Sequence, residues 1–141
     1  MRFSASLLQL ALLFNIAATM ENPQCSRIWL RPPLKLLFRK SRVRWYVTHF
    51  CAWGRPFKKP TGFLAVNLTL HHLEVGRCHS SKRGICAFTN CKHVPLCGQD
   101  SQGIWLTKLA QPYPIRMCNA LAKDFSDYEV SRIAVNFSSH F

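Results

Sequence analysis

The sequence predicts an α/β protein that consists of an incomplete, doubly wound half and a loop-rich Cys/His module. Three observations lead to this fold class. An apolar helical face near the start of the chain leads into an apolar strand that ends at a polar tripeptide, which is half of a doubly wound unit. Residues 62–70 are rich in β-forming side chains. Residues 71–103 have no clear periodicity and are rich in His, Cys, Gly and Ser, which is typical of a module that disulfides or a metal ion must stabilise.

The N-terminal segment is interpreted first as a helix and a strand. Four leucines give the helix an apolar face: Leu7, Leu8, Leu12 and Leu13. Residues 15–20 follow as a short buried strand that ends at Glu21-Asn22-Pro23. Because ligands bind at the carboxyl ends of strands in doubly wound sheets, this tripeptide is a candidate site.

A secretory signal peptide is the competing interpretation of residues 1–19. Arg2 precedes an apolar run from Ala5 to Ala18, and small residues lie near the end of that run. Cleavage would make Asn67 and Asn136 candidates for glycosylation. The run is too short and too often interrupted to span a bilayer, so we expect no transmembrane segment.

Local patterns predict the later elements. We expect a short helix or turn at 25–30, a break in regular structure at 31–33, strands at 45–50 and 62–70, and a helix at 114–125. These elements divide the chain into a partial α/β segment (1–70), a Cys/His-rich loop module (71–111), a terminal helix (112–125) and a tail (126–141).

Composition favours a polyanionic partner. The 141 residues form one domain at most, and 19 lysines and arginines against 6 aspartates and glutamates give a net charge of +13. This imbalance favours nucleic acid first and an anionic membrane surface second. The seven cysteines are an odd number, so complete disulfide pairing would leave one of them over.

A basic turn lies between the two predicted strands at 45–50 and 62–70. Gly54-Arg55-Pro56 is expected to make a tight turn that directs Lys58 and Lys59 outward. Thr61 can donate a hydrogen bond to a phosphate. Basic side chains at such a turn suit contacts to the DNA backbone, which position a protein without reading the base sequence. The candidate DNA-contacting residues are Arg55, Lys58, Lys59 and Thr61.

The candidate metal ligands have the spacing Cys78-x7-Cys86-x6-His93, with Cys91 between the last two and Cys51 one strand away. Zinc prefers four thiolate or imidazole ligands, and a closed set of them stabilises a small module with many loops. The sequence contains no C-x2-C pair. The spacing therefore leaves three alternatives open, which are a zinc site, disulfides and unliganded core cysteines.

In this order, three elements resemble the part of a C5-cytosine DNA methyltransferase that follows the nucleophile, in the divergent form found in phages and mobile elements. They are Glu21-Asn22-Pro23, the segment from Cys51 to Thr61, and the set Cys78, Cys86 and His93. Tyr113-Pro114, followed by Cys118, resembles the start of the terminal helix of the family. The resemblance covers about residues 5–125 and implies a Rossmann-like methyltransferase fold.

The resemblance also implies roles for the matched residues. C5 methylation needs a carboxyl group that holds the flipped cytosine, and the family gives this role to the residue matched by Glu21, with Asn22 in support. The element that contains Lys58, Lys59 and Thr61 is implied to lie beside the active site and the DNA. A zinc site is implied at Cys51, Cys78, Cys86 and His93.

Two elements of the family are missing. The sequence has neither a glycine-rich cofactor loop nor a Pro-Cys nucleophile motif. We therefore expect a truncated methyltransferase-like protein that binds DNA without transferring a methyl group by itself, and that uses S-adenosylmethionine only if another chain supplies the upstream part.

The expected partners are DNA and a complementing methyltransferase half. The expected location is intracellular, either in the nucleus or, for a viral protein, in the cytoplasm of the host. Two alternatives remain open, namely a small secreted disulfide-bonded protein with a cleaved signal peptide and a product without function.

Overall fold

Helices and strands alternate through the first half of the chain, whereas the second half consists of long loops and one long helix. The structure is a computed structural model that describes residues 2–80 and 83–138. The helices and strands are α1 (Arg2–Leu13), β1 (Ala18–Pro23), α2 (Pro32–Leu37), β2 (Val43–His49), β3 (Pro60–Val66), α3 (His71–Glu74) and α4 (Ile115–Ser138). Three 3-10 turns lie at Arg27–Leu30, Phe50–Trp53 and Leu106–Ala110. In the part of the chain that is described, no helix is long and apolar enough to cross a membrane.

The three strands form one antiparallel sheet with the order β1-β3-β2. The prediction of a doubly wound arrangement is therefore wrong, and the architecture is a mixed helix and strand fold. The physical reason is the connection between β2 and β3, which covers only residues 50–59. Adjacent parallel strands need a crossover of about a dozen residues or more, so this short connection returns the chain antiparallel. Strand β3 thereby lies between β1 and β2 and separates the two parallel strands.

Helices cover both faces of the sheet. Side chains alternate between the two faces along β3, so each face has its own hydrophobic core. Phe63 and Ala65 belong to the core on the side of α3 and α4. Leu64 and Val66 belong to the core on the side of α1 and α2. The one glycine of the strand, Gly62, leaves room for the ring of Trp45, which a Cβ atom at position 62 would overlap.

Helix α1 is part of the hydrophobic core. It buries Ala5, Leu8 and Ala11 against the sheet. The predicted leucine face is only partly correct, since Leu7 and Leu13 are exposed. Asn15 ends the helix in the left-handed region (φ 54°), so the following strand begins at Ala18 rather than at residue 15.

Three further predicted boundaries differ from the structure. The prolines at 32 and 33 do not break regular structure, because Pro32 begins α2, where a missing N–H costs nothing. Strand β3 ends at Val66, because Asn67 adopts φ 54°. Helix α4 does not end at Phe125 but continues to Ser138, through the predicted tail. Residues 139–141 of that tail lie outside the described residues.

Candidate metal centre and the adjoining sheet edge

One edge of the sheet collects the motifs that the sequence separates. Strands β1 and β2 end at this edge, and β3 begins there. Thr61 at the start of β3 pairs with Pro23 on one side and with Thr48 on the other. Three features therefore lie at or beside the ends of neighbouring strands, namely the Glu21-Asn22-Pro23 tripeptide, the basic turn and the first cysteine of the candidate metal site.

Four side chains form a metal-binding cluster beside this edge. The sulfur atoms of Cys51, Cys78 and Cys86 and a ring nitrogen of His93 all lie within 4.8 Å of one another. The Sγ atom of Cys78 lies 3.9 Å from Sγ of Cys86 and 3.7 Å from Nε2 of His93. The three cysteines are buried. These four residues are the predicted set, and the cluster can hold a metal ion.

Backbone contacts at the end of β2 position the first two ligands. Cys51 lies in the 3-10 turn that follows β2, and Gly54 ends this turn at φ 89°. The backbone N–H of Cys78 donates to Nδ1 of His49 at 2.9 Å. The N–H of His49 in turn donates to the carbonyl oxygen of Gly76 at 2.9 Å. The chain on both sides of the Cys51–Cys78 contact is therefore fixed to the sheet.

A tight turn presents the third ligand. The N–H of Cys86 donates to the carbonyl oxygen of Cys91 at 2.8 Å, and the turn between them contains Asn90 at φ 54°. The N–H of Phe88 points at Sγ of Cys86, 3.4 Å away. Such N–H groups stabilise a thiolate, since a hydrogen bond to the charged form of a group favours that form.

Titration of the cysteines is uneven within the cluster. Burial raises the pKa of Cys86, but hydrogen bonds from Thr89 and Phe88 outweigh it and lower the pKa to about 6. Burial, followed by hydrogen bonds with the thiols of Cys78 and Cys86, raises the pKa of Cys51 to about 12. Without a metal, Cys86 is therefore the first of these two thiols to ionise, and it carries the thiolate that attracts a cation.

Glu21 and Asn22, the predicted base-holding pair, lie half-buried in β1. The hydroxyl of Tyr113 donates a hydrogen bond to the carboxylate of Glu21. Burial, together with this carboxylate, raises the pKa of Tyr113 above its ordinary value. Asn22 pairs with Gly62 of β3. No local pattern in the sequence predicts this contact, because it joins residues that are 92 positions apart in the chain.

Lys59 does not point outward as predicted. Its Nζ donates to the carbonyl oxygen of Ala110 at 2.7 Å and lies 4.3 Å from the centre of the Phe50 ring. Burial lowers the pKa of Lys59, and the charge of Glu21 opposes that shift. Its backbone has a positive φ of 22°. The outward orientation expected of this lysine is thus wrong.

Thr61 is also turned inward. It is 0% exposed, and its hydroxyl donates to the carbonyl oxygen of Lys59. In this conformation Thr61 cannot reach a phosphate. Arg55 and Lys58 are half-buried rather than buried, and Nζ of Lys58 donates to Oγ of Ser80 at 2.9 Å. Of the four predicted DNA-contacting residues, Thr61 is therefore the one without access to solvent, whereas Arg55, Lys58 and Lys59 are half-buried.

The remaining cysteines lie outside the cluster. Cys25, Cys91, Cys97 and Cys118 are exposed. The sequence analysis did not single out His49, although its ring supports a ligand through a backbone hydrogen bond. A histidine at the last residue of a strand, two positions before a candidate cysteine, is the only signal that would have pointed to it.

Positive charge is concentrated and unpaired. Residues 22–73 contain ten lysines and arginines and no aspartate or glutamate. Among the side chains that the structure describes, Arg132 is the only lysine or arginine within salt-bridge distance of a carboxylate, that of Glu129. The folded chain therefore leaves most of its positive charge without internal compensation.

Comparison with known proteins gives no relative. No protein-family model matches the chain, and neither a curated protein nor a solved structure gives a significant match.

Proposed function

We propose that this chain is a metal-stabilised nucleic-acid-binding module, related to the C-terminal part of a C5-cytosine DNA methyltransferase and inactive in methyl transfer by itself. The observation that carries this proposal is the unpaired positive charge. The chain has a net charge of +13, and the described side chains include one Arg–carboxylate pair. The basic side chains therefore repel one another unless a polyanion binds. Duplex DNA supplies closely spaced phosphates, and their neutralisation releases condensed counterions.

Zinc is the metal that we propose for the cluster. A tetrahedral ion with Zn–S bonds of about 2.3 Å separates two ligand sulfurs by about 3.8 Å, and sulfur and nitrogen by about 3.6 Å. The distances of 3.9 and 3.7 Å in the cluster agree with these values before any adjustment. Four protein ligands leave no open position, so the ion acts as a structural clamp rather than a catalyst.

The relation to the methyltransferases is supported by the meeting of Glu21 and the Lys58–Thr61 segment at one sheet edge. In the proposed module Glu21 is the base-holding carboxyl, and Tyr113 is its hydrogen-bond partner. The sequence has no Pro-Cys pair and no glycine-rich loop. Methyl transfer thus depends on a complementing half that supplies the nucleophile and binds S-adenosylmethionine.

An intracellular location belongs to this proposal, in the nucleus or in the cytoplasm. Zinc ligation by cysteine requires reduced thiols, which the cytosol and nucleus maintain. The secreted alternative is less well supported, because α1 is packed into the core and the amide nitrogen of Asn67 already donates to two carbonyl oxygens. A glycan would replace one of the two N–H groups on this nitrogen, so at most one of these contacts could remain.

The test measures metal and DNA binding on protein purified without a metal-affinity tag. We expect about one zinc per chain, and binding to a 20-base-pair duplex that weakens steeply as salt increases. No zinc together with at most one free thiol would indicate the secreted disulfide protein. Zinc without salt-dependent DNA binding would reject the nucleic-acid function and leave the metal centre in place.

A further inference from the structure

We propose that Lys58, Arg77, His79 and Ser80 form a site for a backbone phosphate, and that the metal ion assembles this site. The inference rests on the proposed function, since it identifies the surface that holds the nucleic acid. It adds a coupling between two ligands, in which phosphate binding and metal binding strengthen each other. None of the four residues belongs to the metal cluster.

The central contact of the site joins two segments that are distant in sequence. Nζ of Lys58, just before β3, donates to Oγ of Ser80 at 2.9 Å. An ammonium group has three donors, so Lys58 keeps two N–H groups for another acceptor. The Ser80 oxygen accepts from Lys58, which leaves its own O–H as a donor. Three hydrogen-bond donors, two N–H groups of Lys58 and the O–H of Ser80, are therefore close together, and no carboxylate pairs with Lys58 among the described residues.

Arg77 and His79 extend the positive surface around this point. They flank the ligand Cys78, and both are exposed. The N–H of Cys78, which lies between them, donates to Nδ1 of His49 at 2.9 Å, and the N–H of the next residue, Phe50, donates to the carbonyl oxygen of Lys58 at 3.0 Å. These backbone bonds hold Lys58 and Arg77 at the same end of β2, and an arriving phosphate would relieve the repulsion between their charges.

The metal determines whether these groups converge. Residues 77–80 lie outside any helix or strand, and they are fixed by Cys78 and by its backbone bond to His49. Metal ligation by Cys78 holds this segment against the 3-10 turn that carries Cys51. Without the ion, this segment keeps its backbone bonds to the end of β2 but loses the link to Cys51, so that Ser80 is held less closely to Lys58. By thermodynamic linkage, bound phosphate must in turn raise the affinity for the metal.

A second basic surface provides a matched control. Lys35 is exposed on α2, in the helical layer that packs against the face of the sheet opposite α4. It lies in a segment rich in arginine and lysine, but the metal cluster does not hold that segment. Substitution of Lys35 removes the same charge as substitution of Lys58, and it leaves the metal-dependent site intact.

The experiment measures fluorescence anisotropy of a labelled 20-base-pair duplex with the full chain over a salt series. The proteins are the wild type, K58A, K58R, S80A and K35A, each loaded with zinc and each treated with a chelator. For K58A we expect about tenfold weaker binding and a log–log salt slope that is smaller by about one. S80A should lose about threefold, and K58R should keep the wild-type slope. Chelation should weaken the wild type about as much as K58A does, and it should add little to K58A.

Two outcomes would overturn the inference. One is an equal loss for K35A and K58A, which would mean that the net charge binds DNA without a defined site. The other is a loss on chelation that is the same for K58A as for the wild type, which would separate the metal from the phosphate contact. Zinc stoichiometry and circular dichroism confirm that each variant is folded. Failure of the zinc-loaded wild type to bind DNA at low salt would instead reject the proposed function.

Discussion

The side-chain amide nitrogen of Asn67 lies 2.9 Å from the carbonyl oxygen of Ala11, near the end of α1. The same nitrogen donates to the carbonyl oxygen of Ile16, also at 2.9 Å. One residue after β3 thus holds the carbonyl of Ala11 near the end of the N-terminal helix, which also accepts the N–H of Ile16, and the carbonyl of Ile16 in the connection to β1. The contact ties α1 to the sheet.

The substitution Asn67→Asp tests this contact. A carboxylate has no N–H to donate, and it would face two carbonyl oxygens at short distance. The side-chain oxygen of Asn67, Oδ1, is already buried without a hydrogen-bond partner among the described residues. We expect a loss of about 2–3 kcal/mol in the free energy of unfolding, measured by urea denaturation. Asn67→Ala, which removes the donors without adding charge, should cost less than Asn67→Asp.

Substitutions of Leu8 and Leu7 test whether α1 is a helix of the core or a signal peptide that is removed. Leu8 is 4% exposed and Leu7 is 49% exposed on the same helix. In the folded chain, Leu8→Ala should therefore cost about 2–5 kcal/mol, and Leu7→Ala less than about 1 kcal/mol. If α1 were removed as a signal peptide, neither substitution would change the thermal stability of the mature protein.

The metal centre predicts opposite results for two cysteines. Cys78 is a buried ligand, whereas Cys91 is exposed and outside the cluster. Cys78→Ser should lower metal affinity by more than the roughly 10- to 100-fold that loss of a supporting contact costs. Cys91→Ser should leave the zinc stoichiometry and the melting temperature unchanged. Competition with a chromophoric chelator measures both variants, and equal affinities would disprove the assignment of ligands.

His49 predicts a pH dependence of stability. Burial is the main cause that lowers its pKa from 6.5 to about 4, and Nδ1 accepts the backbone N–H of Cys78. Between pH 6.5 and 4 the unfolded chain binds a proton at this ring that the folded chain does not bind. Stability therefore falls as the pH falls through this window, by about 3 kcal/mol at most.

The substitution His49→Asn isolates this effect. The Asn oxygen can accept the Cys78 N–H in place of Nδ1, and it does not titrate. Urea denaturation of the metal-free chain at several pH values should give a shallower pH dependence for H49N than for the wild type. Parallel curves would show that the ring has the same pKa in the folded and unfolded states.

Asp124 is predicted to hold α4 in place. This carboxylate is 3% exposed, and its two oxygens accept the N–H groups of His72 and Leu73 at the start of α3. Asp124→Ala leaves two N–H groups without their acceptors, so we expect a loss of about 3 kcal/mol in thermal or urea unfolding. Asp127 offers the control, because its contact with His72 is at the surface and Asp127→Ala should cost less than about 1 kcal/mol.

The sequence predicted single elements better than their arrangement. The strand over Val43–His49 and the N-terminal helix follow from local periodicity, which a residue pattern specifies directly. The position of β3 between β1 and β2 does not follow from local periodicity. Alternation along a strand indicates which side chains face the core, but it does not indicate which strands are adjacent in the sheet. The signal in the sequence is the length of the β2–β3 connection, since ten residues are too few for a parallel crossover.

The candidate site shows the same division. The spacing of cysteines and the histidine limited the ligands to a small set, and the fold brings the predicted four together. The direction of Lys59 could not be deduced, because it depends on the Phe50 ring and on the carbonyl oxygen of Ala110, 51 residues away in the chain. Contacts of this separation have no local sequence pattern.

The order of the metal ligands along the chain has a consequence for biosynthesis. All three strands are complete at Val66, before the ligands Cys78, Cys86 and His93 leave the ribosome. Helix α4 follows and closes the core over Phe63 and Ala65. If the cluster holds zinc as proposed, synthesis in a zinc-depleted cell would therefore yield chains with a formed sheet in which the segments around Cys78, Cys86 and His93 are no longer held together. Such segments open more easily, and cellular proteases would cleave these chains first.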